Sequence, residues 1–167
     1  MQGLWPETYA EGRAAFLRAV AAAGPSATLC TYPHPLHGPG GEELATDVAL
    51  VGDLAARGVL LVCTATHGVE GFCGTACLLQ WLERARALPL GVRAVLVHAI
   101  NPHGYAWVRR VNEGNIDLNR NFVDHARPPA NAVYTHAHPF IRPAADTPAQ
   151  STTARHPPPD RPQRRLP

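Results

Sequence analysis

Two predominantly apolar runs on either side of a helix-like segment constrain the fold of this chain more than any other feature. The runs are GVLLVCTA at residues 58–65 and VRAVLVHAI at residues 92–100. Apolar runs of this length are typical of strands that are covered on both faces of a sheet. Residues 71–88 carry apolar side chains at helical spacing, which predicts a helix between the two strands. Because strand–helix–strand units in one sheet have a right-handed crossover, the two strands are predicted to be parallel.

The preceding residues predict one helix and an antiparallel pair of strands. Residues 6–23 have the apolar spacing of an amphipathic helix, and the proline at its start suits a first turn. Residues 27–32 and 46–51 have the composition of strands, and the turn-rich HPLHGPGGEE lies between them. The predicted fold class is therefore α/β, a three-layer sandwich with a mixed, mostly parallel sheet.

Residues 126–167 differ in composition from the rest of the chain. They hold most of its 17 prolines and show neither a strand-like nor a helix-like period. We expect an incomplete domain over residues 1–125, whose sheet is truncated, followed by a Pro/Arg/Ala-rich tail over 126–167 that is disordered or out of frame. A frameshift near residues 133–140 would explain the change.

Composition excludes several classes of partner. The formal net charge is +2 and the arginines are spread along the chain, so no nucleic-acid partner is implied. No apolar run approaches the roughly 20 residues that a membrane-spanning helix needs, and no signal peptide is recognisable, so we expect a cytoplasmic protein. The four cysteines lack the spacing of a disulfide scaffold or a zinc ribbon and are expected to be buried thiols.

The first motif with chemical content is His67-Gly68-Val69-Glu70, which follows the strand ending near residue 65. Open α/β sheets bind ligands at the carboxyl ends of their strands. An imidazole nitrogen and a carboxylate oxygen on one turn can both bind zinc, at about 2.0 to 2.2 Å. The tetrapeptide alone favours the alternative interpretation, a solvent-facing histidine near a helix N-terminus with a glutamate that the helix dipole stabilises.

The second motif is the run DLNRNF, which begins at Asp117 and follows two arginines, Arg109 and Arg110. Asn119 and Arg120 within it can hold an anion, because the guanidinium forms a bidentate fork and the amide donates beside it. A polar loop held by internal hydrogen bonds is the alternative interpretation.

Taken together and in this order, THGVEGF, NPHGYAWVRR and DLNRNF resemble the zinc carboxypeptidase superfamily of metallopeptidases and deacylases, nearest an uncharacterised bacterial branch. The resemblance covers roughly residues 27 to 125. It implies one zinc ion and a small peptide or an acylated amino acid as substrate.

The resemblance also implies a role for each matching residue. His67 and Glu70 correspond to two zinc ligands, and Asp117 to the carboxylate that orients the zinc-bound histidine. Arg110, with Arg109 as the alternative, corresponds to the arginine that stabilises the oxyanion. The remaining pair, Asn119 and Arg120, corresponds to the residues that bind the substrate carboxylate.

Two elements of the family pattern are missing. The third zinc ligand would lie at or beyond the end of the chain, and no glutamate follows Glu113 to act as general base. The expectation is a zinc-dependent hydrolase of peptide or amide bonds next to a carboxylate that is inactive as this chain. The alternative is a non-catalytic remnant or anion-binding module without turnover.

Two further expectations follow from the same pattern. A metal site formed by His67, Cys73 and Cys77 is the third hypothesis, although packing of both cysteines against the sheet is favoured. A sheet without its later strands exposes an apolar edge, so self-association through that edge is also expected.

Overall fold

The computed structural model describes residues 5–84 and 88–141. The chain divides into two compact units, Met1–Phe122 and Val123–Pro167. The first unit contains, in chain order, α1 (Tyr9–Ala22), β1 (Ala27–His37), β2 (Glu43–Val51), β3 (Gly58–Cys63), α2 (Gly71–Arg84), β4 (Val92–His98) and α3 (Pro102–Ala106). The second contains α4 (Ala132–Ile141).

Helix α1 has clear sequence determinants at both ends. The Thr8 side chain caps its N-terminus by accepting a hydrogen bond from the backbone amide of Glu11 at 3.1 Å. After its last residue the chain turns at Gly24, whose φ of 70° is readily adopted only by glycine. The helix buries Tyr9, Phe16 and Val20 along one face.

The four strands form one mixed sheet in the order β1-β2-β4-β3. The outer strand β1 pairs antiparallel with β2, β2 pairs antiparallel with β4, and β4 pairs parallel with β3. The α/β class, the mixed sheet and the parallel strand–helix–strand unit are thus confirmed. Only the β3–β4 pair is parallel, because the other neighbour of β4 is β2, which runs antiparallel to it.

One face of the sheet carries the core of the first unit. The buried side chains that pack together there come from α1, α2 and the two central strands: Phe16, Val20, Ala49, Val51, Leu78, Ala94 and Leu96. Helices α1 and α2 also contact each other, so both lie on this face.

The opposite face is open among the described residues of the first unit. Val59 and Leu61 of β3 are 51% and 61% exposed, and Tyr32 of β1 is 61% exposed. Two of the three predicted layers are therefore described. The prediction that residues 58–65 form a strand covered on both faces is wrong, because β3 is an edge strand with an uncovered side.

The cysteines are not buried as predicted. Cys63, Cys73 and Cys77 are exposed, Cys30 is half-buried, and all four are free thiols. Cysteine in an apolar stretch usually packs inside, but Cys73 and Cys77 lie outside the buried face of α2, which consists of Gly71, Thr75, Leu78 and Leu79.

The segment predicted as a tail contains one described element, α4, where the sequence predicted none. Its apolar residues were not regular enough to indicate a helix. The remaining part of that prediction concerns residues 142–167, which lie outside the described residues. Among described residues, no helix combines the length and apolar content needed to cross a membrane.

Candidate functional site

His67 lies on the turn that follows β3, at the carboxyl end of the parallel pair. The chain leaves the strand through Ala65, whose φ is 56°, and then forms a single 3₁₀ turn, Gly68–Glu70, before α2 begins. His67 is only 7% exposed. The turn thus places the imidazole inside the protein while Glu70 stays at the surface.

Close backbone packing holds this turn in place. A Cβ atom on Gly68 would overlap the backbone carbonyl of Gly104 in α3, and one on Gly71 would overlap the ring of Tyr105. Asn101 caps α3 by accepting a hydrogen bond from the Gly104 amide at 2.7 Å. The NPHG segment is therefore the start of the short helix that supports the His67 turn.

Both ring nitrogens of His67 face carboxylates. Nδ1 lies 3.0 Å from Oε1 of Glu70, and Nε2 lies 3.0 Å from Oδ1 of Asp117. An ionised carboxylate can only accept hydrogen bonds, whereas a neutral imidazole has a single N–H to donate. The arrangement is therefore satisfied only when His67 is protonated or when a cation lies between one nitrogen and its carboxylate.

Asp117 is the centre of this polar cluster. Its Oδ1 also accepts from the Asn119 amide at 2.9 Å, and its Oδ2 accepts from Nε of Arg110 at 2.9 Å. Partial desolvation would raise the pKa of Asp117, but the hydrogen bonds from Arg110, His67 and Asn119 outweigh it and hold that pKa below its usual value. Asp117 therefore remains an acceptor and fixes the orientation of the ring.

The two candidate arginines have different partners. Arg110 contacts Asp117, whereas Arg109 donates to the side chain of Asn115 at 3.3 Å. Arg110 is half-exposed, with its charge at the edge of the cluster. Arg110, the first choice made from sequence, is therefore the arginine that contacts the carboxylate beside His67.

Asn119 and Arg120 lie on the 3₁₀ turn Leu118–Arg120, which Asp117 caps. Both residues are exposed, and the Arg120 guanidinium donates to the backbone carbonyl of Asn119 at 3.0 Å. Asn119 contacts the His67 cluster through its backbone amide, which donates to Asp117. Among the described residues, its side chain makes no hydrogen bond to the cluster. The predicted anion-binding pair is thus next to the cluster, with its side chains available to solvent.

A second polar group, formed by His34, His103 and Glu113, was not predicted from the sequence. His34 of β1 lies with Nε2 3.4 Å from Oε2 of Glu113, and the His103 ring stacks on Trp107. Burial lowers the pKa of His103, while a hydrogen bond from its own backbone and the nearby His34 lower the pKa of Glu113. The group ties the loop that carries Arg110 to the sheet. No motif spacing links these residues, so no sequence signal indicates the contact.

Within residues 5–84 and 88–141 no three His, Cys, Asp or Glu side chains are grouped so that they could hold a metal ion. The hypothesis of a site formed by His67, Cys73 and Cys77 is therefore not supported. The predicted site has two candidate ligands, His67 and Glu70, in the described part of the chain.

Comparison with known proteins gives a family without an assigned activity. The model of a family described as protein of unknown function (DUF2817) matches residues 5–157. No curated protein matches the chain. One solved structure that is similar is a glutaminyl cyclase from Tannerella forsythia, at 19% identity and a TM-score of 0.38. The similar region covers 78% of this chain and 52% of the cyclase, so the chain spans about half the length of that protein.

The predicted membership of the zinc carboxypeptidase superfamily is wrong. The family model that matches is a different one, and it extends beyond residues 27–125 on both sides. The resemblance depended on short motifs in a shared order, and short motifs alone do not establish membership of a family.

Proposed function

The chain belongs to the family described as protein of unknown function (DUF2817), and we propose that it carries a zinc-dependent hydrolase site for peptide or amide bonds next to a carboxylate. His67 and Glu70 hold the ion in this proposal. The observation that carries it is the imidazole whose two nitrogens both face carboxylates.

The donor set fits zinc in its chemistry. Two ligands bound at about 2.0 to 2.2 Å on tetrahedral positions of one ion lie about 3.4 Å apart. The 3.0 Å between Nδ1 of His67 and Oε1 of Glu70 is shorter than this, so the exposed Glu70 side chain would have to move outward slightly to admit the ion. With a cation there, a neutral His67 donates its remaining N–H to Asp117, which makes the imidazole a stronger ligand.

Each surrounding residue has a defined task in the proposal. Asp117 orients the His67 ring and holds the Arg110 guanidinium at the edge of the site. Arg110 places positive charge where a carbonyl oxygen becomes negative during hydrolysis. Zinc, when bound, supplies polarisation of the carbonyl and acidification of a water molecule.

Asn119 and Arg120 are proposed to bind the carboxylate of the substrate. Both are exposed and lie on the turn that Asp117 caps, so an anion bound there is close to Asp117, whose Oδ1 lies 3.0 Å from Nε2 of His67. A peptide or an acylated amino acid has a carboxylate next to the bond to be cleaved. The guanidinium and the amide together fix which end of such a substrate enters.

The number of ligands supports a second candidate function. Catalytic zinc sites normally have three protein ligands, and the described residues offer two. An anion-binding module that uses Arg110, Asn119 and Arg120 without turnover is consistent with that count. Metal content and turnover distinguish the two functions.

The test is zinc binding by the full chain, measured by metal analysis after dialysis and by titration calorimetry. We expect one equivalent of zinc in the wild-type protein and a loss of affinity of at least tenfold in Glu70→Gln. That change keeps the shape of an exposed side chain, so the fold is preserved. His67→Ala is expected to abolish binding, whereas His125→Ala at an exposed position is the matched control and leaves it unchanged.

Turnover of acyl amino acids is measured on the same samples. Hydrolysis that a chelator abolishes, with a KM raised about tenfold in Arg120→Gln, would identify an active enzyme and overturn the expectation that this chain is inactive. An amide substrate whose carboxylate is replaced by a carboxamide is the control, since Arg120→Gln has no effect on it. A protein that holds zinc but has no turnover supports the binding module, and a protein that binds no zinc contradicts the proposed site.

A further inference from the structure

One side of helix α2 carries two exposed thiols that have no role in the proposed site. Cys73 and Cys77 are four residues apart and both are exposed. A different face of the helix buries Gly71, Thr75, Leu78 and Leu79. Residues four apart on a helix lie one above the other on the same side.

The two side chains are neighbours on one side of α2, one helical turn apart. Partial burial together with the neighbouring Cys73 raises the pKa of the Cys77 thiol. A raised thiol pKa keeps the thiol protonated at neutral pH and makes it a poor nucleophile. The pair is therefore not suited to nucleophilic catalysis.

A disulfide between these residues is also disfavoured. Cβ atoms one helical turn apart are about 5 to 6 Å from each other. A disulfide requires a Cβ separation of about 3.5 to 4.5 Å. Because α2 is regular from Gly71 to Arg84, a disulfide would distort the helix. Two sulfurs at this spacing can instead approach a common ion from opposite sides.

The number of ligands selects the kind of ion. Zinc at a structural site needs four ligands, and no third His, Cys, Asp or Glu joins the pair within residues 5–84 and 88–141. A soft cation that accepts two thiolates in a nearly linear arrangement needs no third ligand. We propose that Cys73 and Cys77 form a two-coordinate binding site for monovalent copper, Cu(I).

The charge balance of this site is favourable. Binding of Cu(I) displaces two thiol protons and leaves a dithiolate complex with a net charge of minus one. Cys73 lies in the first turn of α2, where the helix dipole stabilises negative charge. Arg84 lies near the other end of the same helix and adds to the positive potential.

The test is competition for Cu(I) between the reduced full chain and bicinchoninate, whose coloured complex with Cu(I) reports the copper removed by the protein. Wild-type protein is expected to take one equivalent. Cys73→Ser and Cys77→Ser are each expected to weaken binding at least tenfold, because one thiolate then remains. Both changes are conservative and at exposed positions, and circular dichroism checks that α2 is intact.

Cys63→Ser is the matched control, because Cys63 is also an exposed free thiol but lies on β3. It is expected to leave Cu(I) binding within about twofold of wild type. Equal binding by Cys73→Ser and wild type would overturn the proposal, as would a loss of binding in Cys63→Ser. A bifunctional thiol reagent that fluoresces only when it bridges two thiols is a second measure. It is expected to label the wild type and not Cys77→Ser, whereas labelling that is equal in both would also overturn the proposal.

Discussion

His98 lies in the centre of the first unit, beneath the candidate site. It is fully buried, its ring stacks on Phe16 at a centroid distance of 4.9 Å, and its Nε2 lies 2.9 Å from the hydroxyl of Thr75. That hydroxyl is in turn 3.1 Å from the hydroxyl of Tyr105, which packs against the His67 turn. Burial lowers the pKa of His98 to about 4, because the charged form would lose its hydration.

We predict that this histidine makes the free energy of unfolding fall as the pH falls from 6.5 to 4. An unfolded chain has an ordinary histidine pKa of 6.5, so in this window it binds a proton that folded His98 rejects. The expected loss between pH 8 and pH 5 is about 2 kcal/mol. The same titration of His103, whose pKa is also lowered, adds to it. Urea denaturation at the two pH values measures the effect.

His98→Gln separates the contribution of His98 from that of the other histidines. Glutamine keeps a polar group near Thr75 but does not titrate, so the loss between pH 8 and pH 5 is expected to shrink to less than half. The exposed His125→Gln is the control and keeps the wild-type loss. An equal pH dependence in His98→Gln and wild type would contradict the assignment.

At the scale of single residues, the sequence indicated which side chains meet around His67 but not how deep they lie. Asp117 is fifty residues from His67 along the chain and still lies 3.0 Å away, and only the resemblance indicated this proximity. The exposure of Cys73 and Cys77 was not predictable. Nearly every side of α2 carries an apolar or small residue, so its sequence does not specify which face contacts the sheet.

At the scale of elements, the 3₁₀ turn Gly68–Glu70 and the helix α3 depend on each other. Their backbones approach so closely that no side chain fits at Gly68. The φ angle of Gly68 is not in the left-handed region, so the requirement for glycine there is one of space. The His67 turn keeps its position only while this contact is intact.

We predict that Gly68→Ala lowers the free energy of unfolding by about 1 to 3 kcal/mol, the usual cost of forcing an atom into a filled space. Zinc affinity is expected to fall with it, because His67 is displaced. Gly114→Ala is the matched control, since its new Cβ atom makes only ordinary contacts, the nearest at 3.4 Å. We expect a change within about 0.5 kcal/mol there. Urea denaturation of the two variants tests the difference, and equal stabilities would contradict the steric account.

The elements themselves were predictable to different degrees. The β3–α2–β4 unit followed from apolar periodicity, because a parallel pair leaves continuous runs in the sequence. The same apolar composition gave the wrong prediction that β3 is covered on both faces. An edge strand with one uncovered face can have the same composition as a covered central strand. Helix α4 was missed because its apolar residues are set among prolines and histidines.

At the scale of the whole molecule, the uncovered face of the sheet in the first unit is the main departure from an ordinary soluble surface. Val59, Leu61 and Cys63 of β3 lie on this face, together with the half-buried Val95 of β4, which is in register with Leu61. Among the described residues no strand pairs with the outer edge of β3, which leaves unpaired backbone groups beside this face. A net charge of +2 gives only weak repulsion between copies of the chain.

We therefore predict that the protein self-associates through the edge and open face of β3, and that Leu61→Lys reduces the association constant at least tenfold. The lysine puts a charge into the centre of the apolar face, so bringing a second copy against it requires desolvating that charge. Sedimentation velocity over a range of protein concentrations measures the effect. Leu90→Lys is the matched control, since Leu90 is fully exposed but lies outside the strands. A wild-type protein that stays monomeric at high concentration, or equal effects of the two lysines, would show that contacts at this face do not drive association.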